Sequence, residues 1–159
     1  MPFEPFRVGA AVYGILREQE RILLIRRAGT SYRNGQLSLP AGHLNGGEDA
    51  VTGLVRELRE EIGIEAEPES CRLVLIMHSA PEHSEDWEYF HLFFSVTRWA
   101  GEPFIAEPEK CSELRWADSS TLPPDIVDYV GEALVAISRG EPLALHGWQA
   151  TREVATPFG

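Results

Sequence analysis

Residues 42–64 read GHLNGGEDAVTGLVRELREEIGI, a glycine-rich loop running into an amphipathic segment. Val51, Leu54, Val55, Leu58 and Ile62 follow one another at steps of 3, 1, 3 and 4, the apolar stripe of an α-helix. Glu48 and Asp49 suit the positive end of a helix dipole, and Gly63 suits a C-terminal stop, where a left-handed backbone costs glycine least. The spacing therefore predicts a helix from near Glu48–Asp49 to Gly63. Glu57, Glu60 and Glu61 stand at i, i+3 and i+4, which stacks three carboxylates along one stripe. That stripe lies roughly 120° from the apolar one, so one face packs on a sheet while the other borders solvent or a cleft. Like charges so placed repel one another. A bound divalent cation would turn that repulsion into coordination.

Elements on either side complete the frame. Residues 6–16 and 21–26 are apolar runs around a polar turn and predict a β-hairpin. Residues 28–36 compose a loop, with Asn34-Gly35 as its turn signal, and Leu37 to Leu39 suggest a short strand before Pro40. Downstream, Arg72–Met77 and Tyr89–Val96 read as strands joined by an acidic loop, and Glu113–Trp116 as a short strand. Pro124–Arg139 predicts a second helix, with Ile126, Val127, Val130, Leu134 and Ile137 apolar and Gly140 as the stop. Residues 141–159 lack periodicity. They are expected to drape over the body or a partner through Trp148 and Phe158, or to be partly disordered. There is no repeat, low-complexity tract or linker, so the expectation is a single domain over 1–159, with its core at about 6–140. Strands on both sides of one helix, with a second helix at the end, imply an α/β fold with a mixed sheet and helices on both faces.

Composition narrows the function. The formal net charge is −11 and Lys110 is the sole lysine, which argues against a nucleic-acid polymer or an anionic membrane as partner. A small phosphorylated substrate is compatible if metal ions bring the positive charge. Cys71 and Cys111 form no CxxC and read as free thiols in a reducing compartment. The opening MPFEPFR lacks the basic start and apolar run of a signal peptide, and Val8–Leu16 is about half the ~20 residues of a spanning helix. A cytoplasmic location is the resulting expectation.

Read as a pattern, the opening stretch is Gly42, five residues, Glu48, seven residues, then Arg56-Glu57-Leu58-Arg59-Glu60-Glu61-Ile62-Gly63-Ile64. This resembles the Nudix box, G-x5-E-x7-R-E-U-x-E-E-x-G-U with U aliphatic, at every defined position. The order of strands and the final helix is similar to a Nudix domain over roughly residues 6–140. Two departures are Ala41-Gly42 where many members carry Gly-Gly, and Leu37 where many carry an aromatic nearby. Neither supplies a ligand side chain, so they bear on the substrate pocket.

The resemblance implies an α/β/α sandwich and metal-dependent hydrolysis of a nucleoside diphosphate linked to another moiety. Hard glutamate oxygens suit Mg²⁺ or Mn²⁺. By similarity to the family, Glu57, Glu60 and Glu61 hold the metals, with Gly42 contributing its carbonyl. Glu48 is an auxiliary ligand or base, and Arg56 orients Glu57. The Gly101-Glu102-Pro103 turn resembles that of the MutT-like subgroup. It makes Glu107 the first candidate for a further ligand or general base, followed by Glu109 and then Glu82, Glu85 and Asp86 of the acidic loop. A homodimer is a family-level expectation.

Bland readings stand beside these. Arg26, Arg27 and Arg33 are candidates to grip phosphate oxygens, and are equally ordinary surface arginines. His43 is read as a loop histidine beside the cleft. His91 sits in a strand pattern and is expected to pack, and with His78 and His83 it is too scattered for a metal cluster. Trp87, Tyr89, Phe90, Phe93 and Phe94 are expected mostly in the core, with one free to stack on a base. Trp116 and Asp118 occupy the stretch where some relatives recognise the base, though Asp118 equally suits a turn cap. The substrate class expected first is a nucleoside or deoxynucleoside triphosphate. A nucleoside diphosphate sugar of the ADP-ribose type is second, on a loose match at Pro81. A sensing domain that binds without cleaving and a diphosphate isomerase are the other readings, and the intact box argues against both.

Overall fold

The computed structural model describes residues 2–83 and 86–148. Strand β1, Gly9–Glu18, is central to it. It turns into β2, Arg21–Arg27, through the predicted hairpin. The short β3, Leu37–Ser38, pairs with β2, and β4, Ala41–His43, returns to β1. Helix α1, Ala50–Ile62, follows, then β5, Glu65–Ala66. The strands β6, Cys71–Ser79, and β7, Tyr89–Val96, form an antiparallel pair across the acidic loop. A short β8, Trp99–Ala100, pairs with β5 in a separate two-stranded sheet. Then come β9, Cys111–Asp118, helix α2, Asp128–Ser138, and β10, Leu143–His146.

The main sheet has eight strands in the order β10-β6-β7-β1-β2-β3, with β4 also on β1 and β9 also on β2. The β1–β7 and β10–β6 pairings are parallel and the rest antiparallel, so the sheet is mixed. Alternation along β1 divides the core. Val12 and Leu16 face α1 with Leu54, Val55, Leu58 and Ile62; Ala11, Tyr13 and Ile15 face α2 with Tyr129, Val130 and Ala133. This is the expected sandwich, with one helix on each face.

The ends of α1 are set locally. The Asp49 carboxylate accepts from the Thr52 backbone N–H at 2.9 Å, and Gly63 closes the helix at φ 68°. The helix thus begins one residue inside Glu48–Asp49. The second helix is shorter than predicted. Val127 donates its N–H to the Leu37 carbonyl and Leu37 donates to Asp125, so residues 125–127 are drawn out as an extended bridge to β3. Strand β9 is longer than predicted because β2 offers it a full antiparallel partner from Arg21 to Arg27. Strand β10 has no period to announce it and exists because the edge of β6 is open. Phe158 and the rest of 149–159 lie outside the described residues. Both cysteines are free, and no helix among the described residues is long and apolar enough to cross a membrane.

Candidate active site

A cavity of about 740 Å³ opens where β4, the start of β1 and the C-terminal half of α1 meet. Glu57 and Glu61, one helical turn apart, both line it. Glu60 does not, because a step of one residue from Glu61 rotates it about 100° around the helix. Its side chain is half exposed and reaches the site only through Arg56, at 3.3 Å.

Arg56 is the hub of this wall. Its guanidinium meets Glu48 at 2.7 Å, Glu57 at 2.8 Å and Glu60 at 3.3 Å, and donates to the His43 carbonyl at 3.1 Å. The Arg56 hydrogen bond, and then the Asn45 backbone N–H at 2.7 Å, hold the Glu48 carboxyl below its ordinary range. Glu57 goes the other way: desolvation raises it, despite Arg56. Glu61 is the extreme case. Burial, and next the charge of Glu57, push it up to about 8, and its Oε1 is buried without a hydrogen-bond partner.

Gly42 fits against this pair. A Cβ there would stand 1.9 Å from the Glu57 carboxyl carbon, so only glycine lets the β4 backbone approach the carboxylate this closely.

Glu107 enters from the far side. Phe104 and Ala106 donate their N–H groups to the carbonyls of Ile62 and Glu61, which lays the segment after the Gly101-Glu102-Pro103 turn along the end of α1. Glu107 then lines the cavity, 3.1 Å from Lys110 Nζ. Glu109 is exposed and outside the lining. Glu82 and Asp86 line the mouth, but Glu82 is engaged by Arg33 and Tyr32, and the Asp86 carboxylate accepts from the His83 N–H at 2.8 Å. Glu85 lies outside the described residues.

The arginines separate. Arg27 lines the cavity. Arg26 is spent on Glu113 at 2.6 Å and Asp125 at 2.7 Å. Arg33 is bound by Glu82 and Asp128 at the rim and is not part of the lining. Asp118 is not brought to the site. It pairs with Arg21 at the opposite end of β2 from Arg27, and its carboxylate caps the next turn, accepting from Ser120 N at 2.8 Å and Oγ at 2.6 Å. Trp116 packs in the α1-side core.

His91 does pack as expected, yet at the cavity wall, together with Tyr13, Ser79, Tyr129 and His146. Of the aromatics, Phe93 and Phe94 are core, while Trp87 is 59% exposed at the mouth and Phe90 36% exposed. Sequence reasoning missed Tyr13, Ser79, Tyr129, His146 and Lys110 as lining residues. No local pattern marks them, since they come from five separate segments.

Among the described residues no three carboxylate, imidazole or thiol groups already converge as metal ligands. Arg56, drawing Glu48, Glu57 and Glu60 to itself, supplies the neutralising charge there. The donor set nevertheless fits a hard divalent ion. It offers carboxylates at Glu57 and Glu61, a buried oxygen of Glu61 with no partner, and a glycine backbone pressed against Glu57.

Comparison with known proteins gives the same direction. Residues 5–133 match the family model described as NUDIX domain. The chain is 32% identical over 114 residues to the 8-oxo-dGTP diphosphatase of Escherichia coli (strain K12), covering 70% of this chain and 84% of that protein. It is 28% identical over 119 residues to the ADP-ribose pyrophosphatase of Methanocaldococcus jannaschii, covering 75% and 67%. In fold, the MutT NUDIX hydrolase from Burkholderia pseudomallei superimposes with a TM-score of 0.74 at 23% identity, over 82% of this chain and 98% of that one. With the model match spanning most of its length, this chain belongs to the Nudix family, whose members are hydrolases acting on the diphosphate bonds of nucleotides.

Proposed function

We propose that this chain is a Mg²⁺- or Mn²⁺-dependent pyrophosphohydrolase that cleaves a nucleoside or deoxynucleoside triphosphate to the monophosphate and pyrophosphate. The observation that carries this reading is the pair Glu57 and Glu61 in one cavity, with a buried Glu61 oxygen that nothing in the protein satisfies. Such an oxygen is costly unless a ligand completes it. The similarity to a protein named 8-oxo-dGTP diphosphatase supports the triphosphate as substrate class.

In this reading Gly42, Glu57 and Glu61 would hold the metal from the cavity wall, and Glu48 and Glu60 would join them by releasing Arg56. When bound, the metal neutralises phosphate oxygens and acidifies water. The protein's own groups do the rest. Arg56 keeps Glu48 and Glu57 in fixed rotamers through charge-assisted hydrogen bonds. Arg27 and Lys110, both on the lining, face the phosphate oxygens. Glu107 takes the proton of the attacking water as the water oxygen bonds to one phosphorus of the α–β bridge, and the bridging P–O bond breaks, its electron pair leaving with the other product. Arg33 acts at one remove, by holding Glu82 and the mouth loop.

The test is turnover of a broad nucleotide panel by purified protein with Mg²⁺ or Mn²⁺, with products separated by chromatography. Monophosphate plus pyrophosphate is expected, and Glu57→Gln should lower kcat by orders of magnitude with the fold unchanged. Release of no phosphate product from any nucleotide, or near-normal kcat in that variant, overturns the assignment. The similarity to a protein named ADP-ribose pyrophosphatase favours a second substrate class, the nucleoside diphosphate sugar. AMP and ribose phosphate as products would identify it.

A further inference from the structure

Away from the carboxylates, the cavity wall is neutral and hydrogen-bonded in a line. His91 is buried, with Nδ1 2.9 Å from the Tyr13 hydroxyl and Nε2 2.8 Å from Ser79 Oγ. Its ring is stacked with Tyr129, centroids 5.0 Å apart at 28°, and with Tyr89, 5.7 Å apart at 24°. Tyr13 stacks on Phe93 at 4.5 Å, and its hydroxyl lies 3.4 Å from the Tyr129 hydroxyl. Burial pushes His91 down to about 4, so the imidazole is neutral near pH 7.

A neutral imidazole has one donor and one acceptor nitrogen, so the line runs either from Ser79 through His91 and Tyr13 to Tyr129 or the opposite way. In both directions the Tyr129 hydroxyl ends the line, with the Tyr13 hydroxyl as its side-chain partner among the described residues, and it keeps hydrogen-bonding capacity for a ligand. Tyr129 also lines the cavity. The two regions are joined by the sheet itself, since Tyr13 pairs with Ala41 and Val12 with Gly42 across β1 and β4.

We propose that Tyr129 is a specificity-determining residue whose hydroxyl, held at the end of the line through Ser79, His91 and Tyr13, hydrogen-bonds a polar atom on the uncharged sugar or base of the bound nucleotide. This rests on the nucleotide reading above and adds to it which side chain contacts the nucleoside part. His91, Tyr13 and Ser79 are positioning residues. Their hydrogen bonds and stacking hold the Tyr129 hydroxyl in place at the cavity wall.

The experiment compares the wild-type protein with Tyr129→Phe and Ser79→Ala. It measures kcat and KM on the nucleotide panel, and by calorimetry the binding of nucleoside 5′-monophosphates and of ribose 5-phosphate in the presence of Mg²⁺. Tyr129→Phe keeps the ring that stacks on His91, and circular dichroism checks both folds. Ser79→Ala removes the partner of His91 Nε2 and so loosens the line that holds the Tyr129 hydroxyl. Both variants should then raise KM and the monophosphate Kd together, by about 10-fold, with kcat within about twofold. Loss of ribose 5-phosphate binding in Tyr129→Phe assigns the contact to the sugar; unchanged ribose 5-phosphate binding assigns it to the base. Unchanged KM and monophosphate Kd in both variants overturn the proposal and leave the hydrolase reading standing. Tyr129-dependent monophosphate binding by a wild-type protein that hydrolyses no nucleotide supports the proposal and removes the hydrolase reading. A wild-type protein that neither binds nor hydrolyses removes both.

Discussion

At one end of the cavity Glu61 keeps a buried carboxylate oxygen with no partner, while at the other Ser79, His91, Tyr13 and Tyr129 satisfy one another in a line. Both ends are buried and polar, and both are built on β1 and its neighbours. They differ in charge. Carboxylates crowded together in a desolvated wall need donors or positive charge, and Arg56 reaches Glu48, Glu57 and Glu60 but not Glu61, where the Ala41 backbone bond still leaves Oε1 without a partner. Neutral hydroxyls and an imidazole can complete each other, because each both gives and accepts. The first end is short of positive charge and is suited to take a cation. The second is preorganised by its own hydrogen bonds and ends on the Tyr129 hydroxyl at the cavity wall.

Metal removal should break this contrast most strongly. With its carboxyl at about 8 against an ordinary 4.5, Glu61 holds a proton in the folded state that the unfolded chain has released. Stability of the metal-free protein therefore falls as pH rises through about 5 to 8. Glu61→Gln removes the cost of that charge. In chelator at pH 9 it should be more stable than the wild type by roughly 2–4 kcal/mol, while losing turnover and any stabilisation by added Mg²⁺. Urea melts with and without metal measure this. A Gln variant no more stable than the wild type in chelator would mean that Glu61 is not strained.

The neutral end has the opposite pH sign. His91 ordinarily titrates near 6.5 and here near 4, so below about 6.5 the unfolded chain takes up a proton that the folded one refuses. Stability falls as pH drops from about 6.5 to 4. His91→Gln, which can still meet Ser79 and Tyr13, should cost about 1 kcal/mol at pH 7 and flatten the acid slope by up to about 2 kcal/mol. Thermal melts across that window check it. An identical slope in both proteins would show that the imidazole is not shielded.

The smallest effect is expected outside the cavity. Asp118→Ala removes a turn cap at the far end of β2, so kcat and KM should stay within about twofold and stability drop by about 1 kcal/mol or less. A large rise in KM would place substrate where the fold places none.

The legible part of this protein was the part made by neighbours in sequence. The 3.6-residue period fixed α1 and its buried Leu54, Leu58 and Ile62, and the box placed Arg56, Glu57 and Glu61 on it. Capping by Asp49 and Gly63 is likewise local. The end of α2 near Gly140 could be read for the same reason. Its start could not, because Leu37, some 90 residues upstream, captures the backbone of residues 125–127.

Tertiary structure decided the rest. Nothing in the i, i+3, i+4 spacing says which of three glutamates enters a cavity; packing of α1 on β1 and β4 turned Glu57 and Glu61 inward and left Glu60 at the edge. Asp118 and Arg27 sit at opposite ends of β2 only because β9 runs antiparallel to it. The hydrogen-bonded wall links Tyr13 to His91 across 78 positions and to Tyr129 across 116. Contacts of that separation leave no period or spacing in a single chain. Sequence thus determined the helix and its stripe of carboxylates, because a helix writes its faces into local order. The three-dimensional sheet alone determined which groups share the cavity with them, because strands bring together residues that the chain keeps apart.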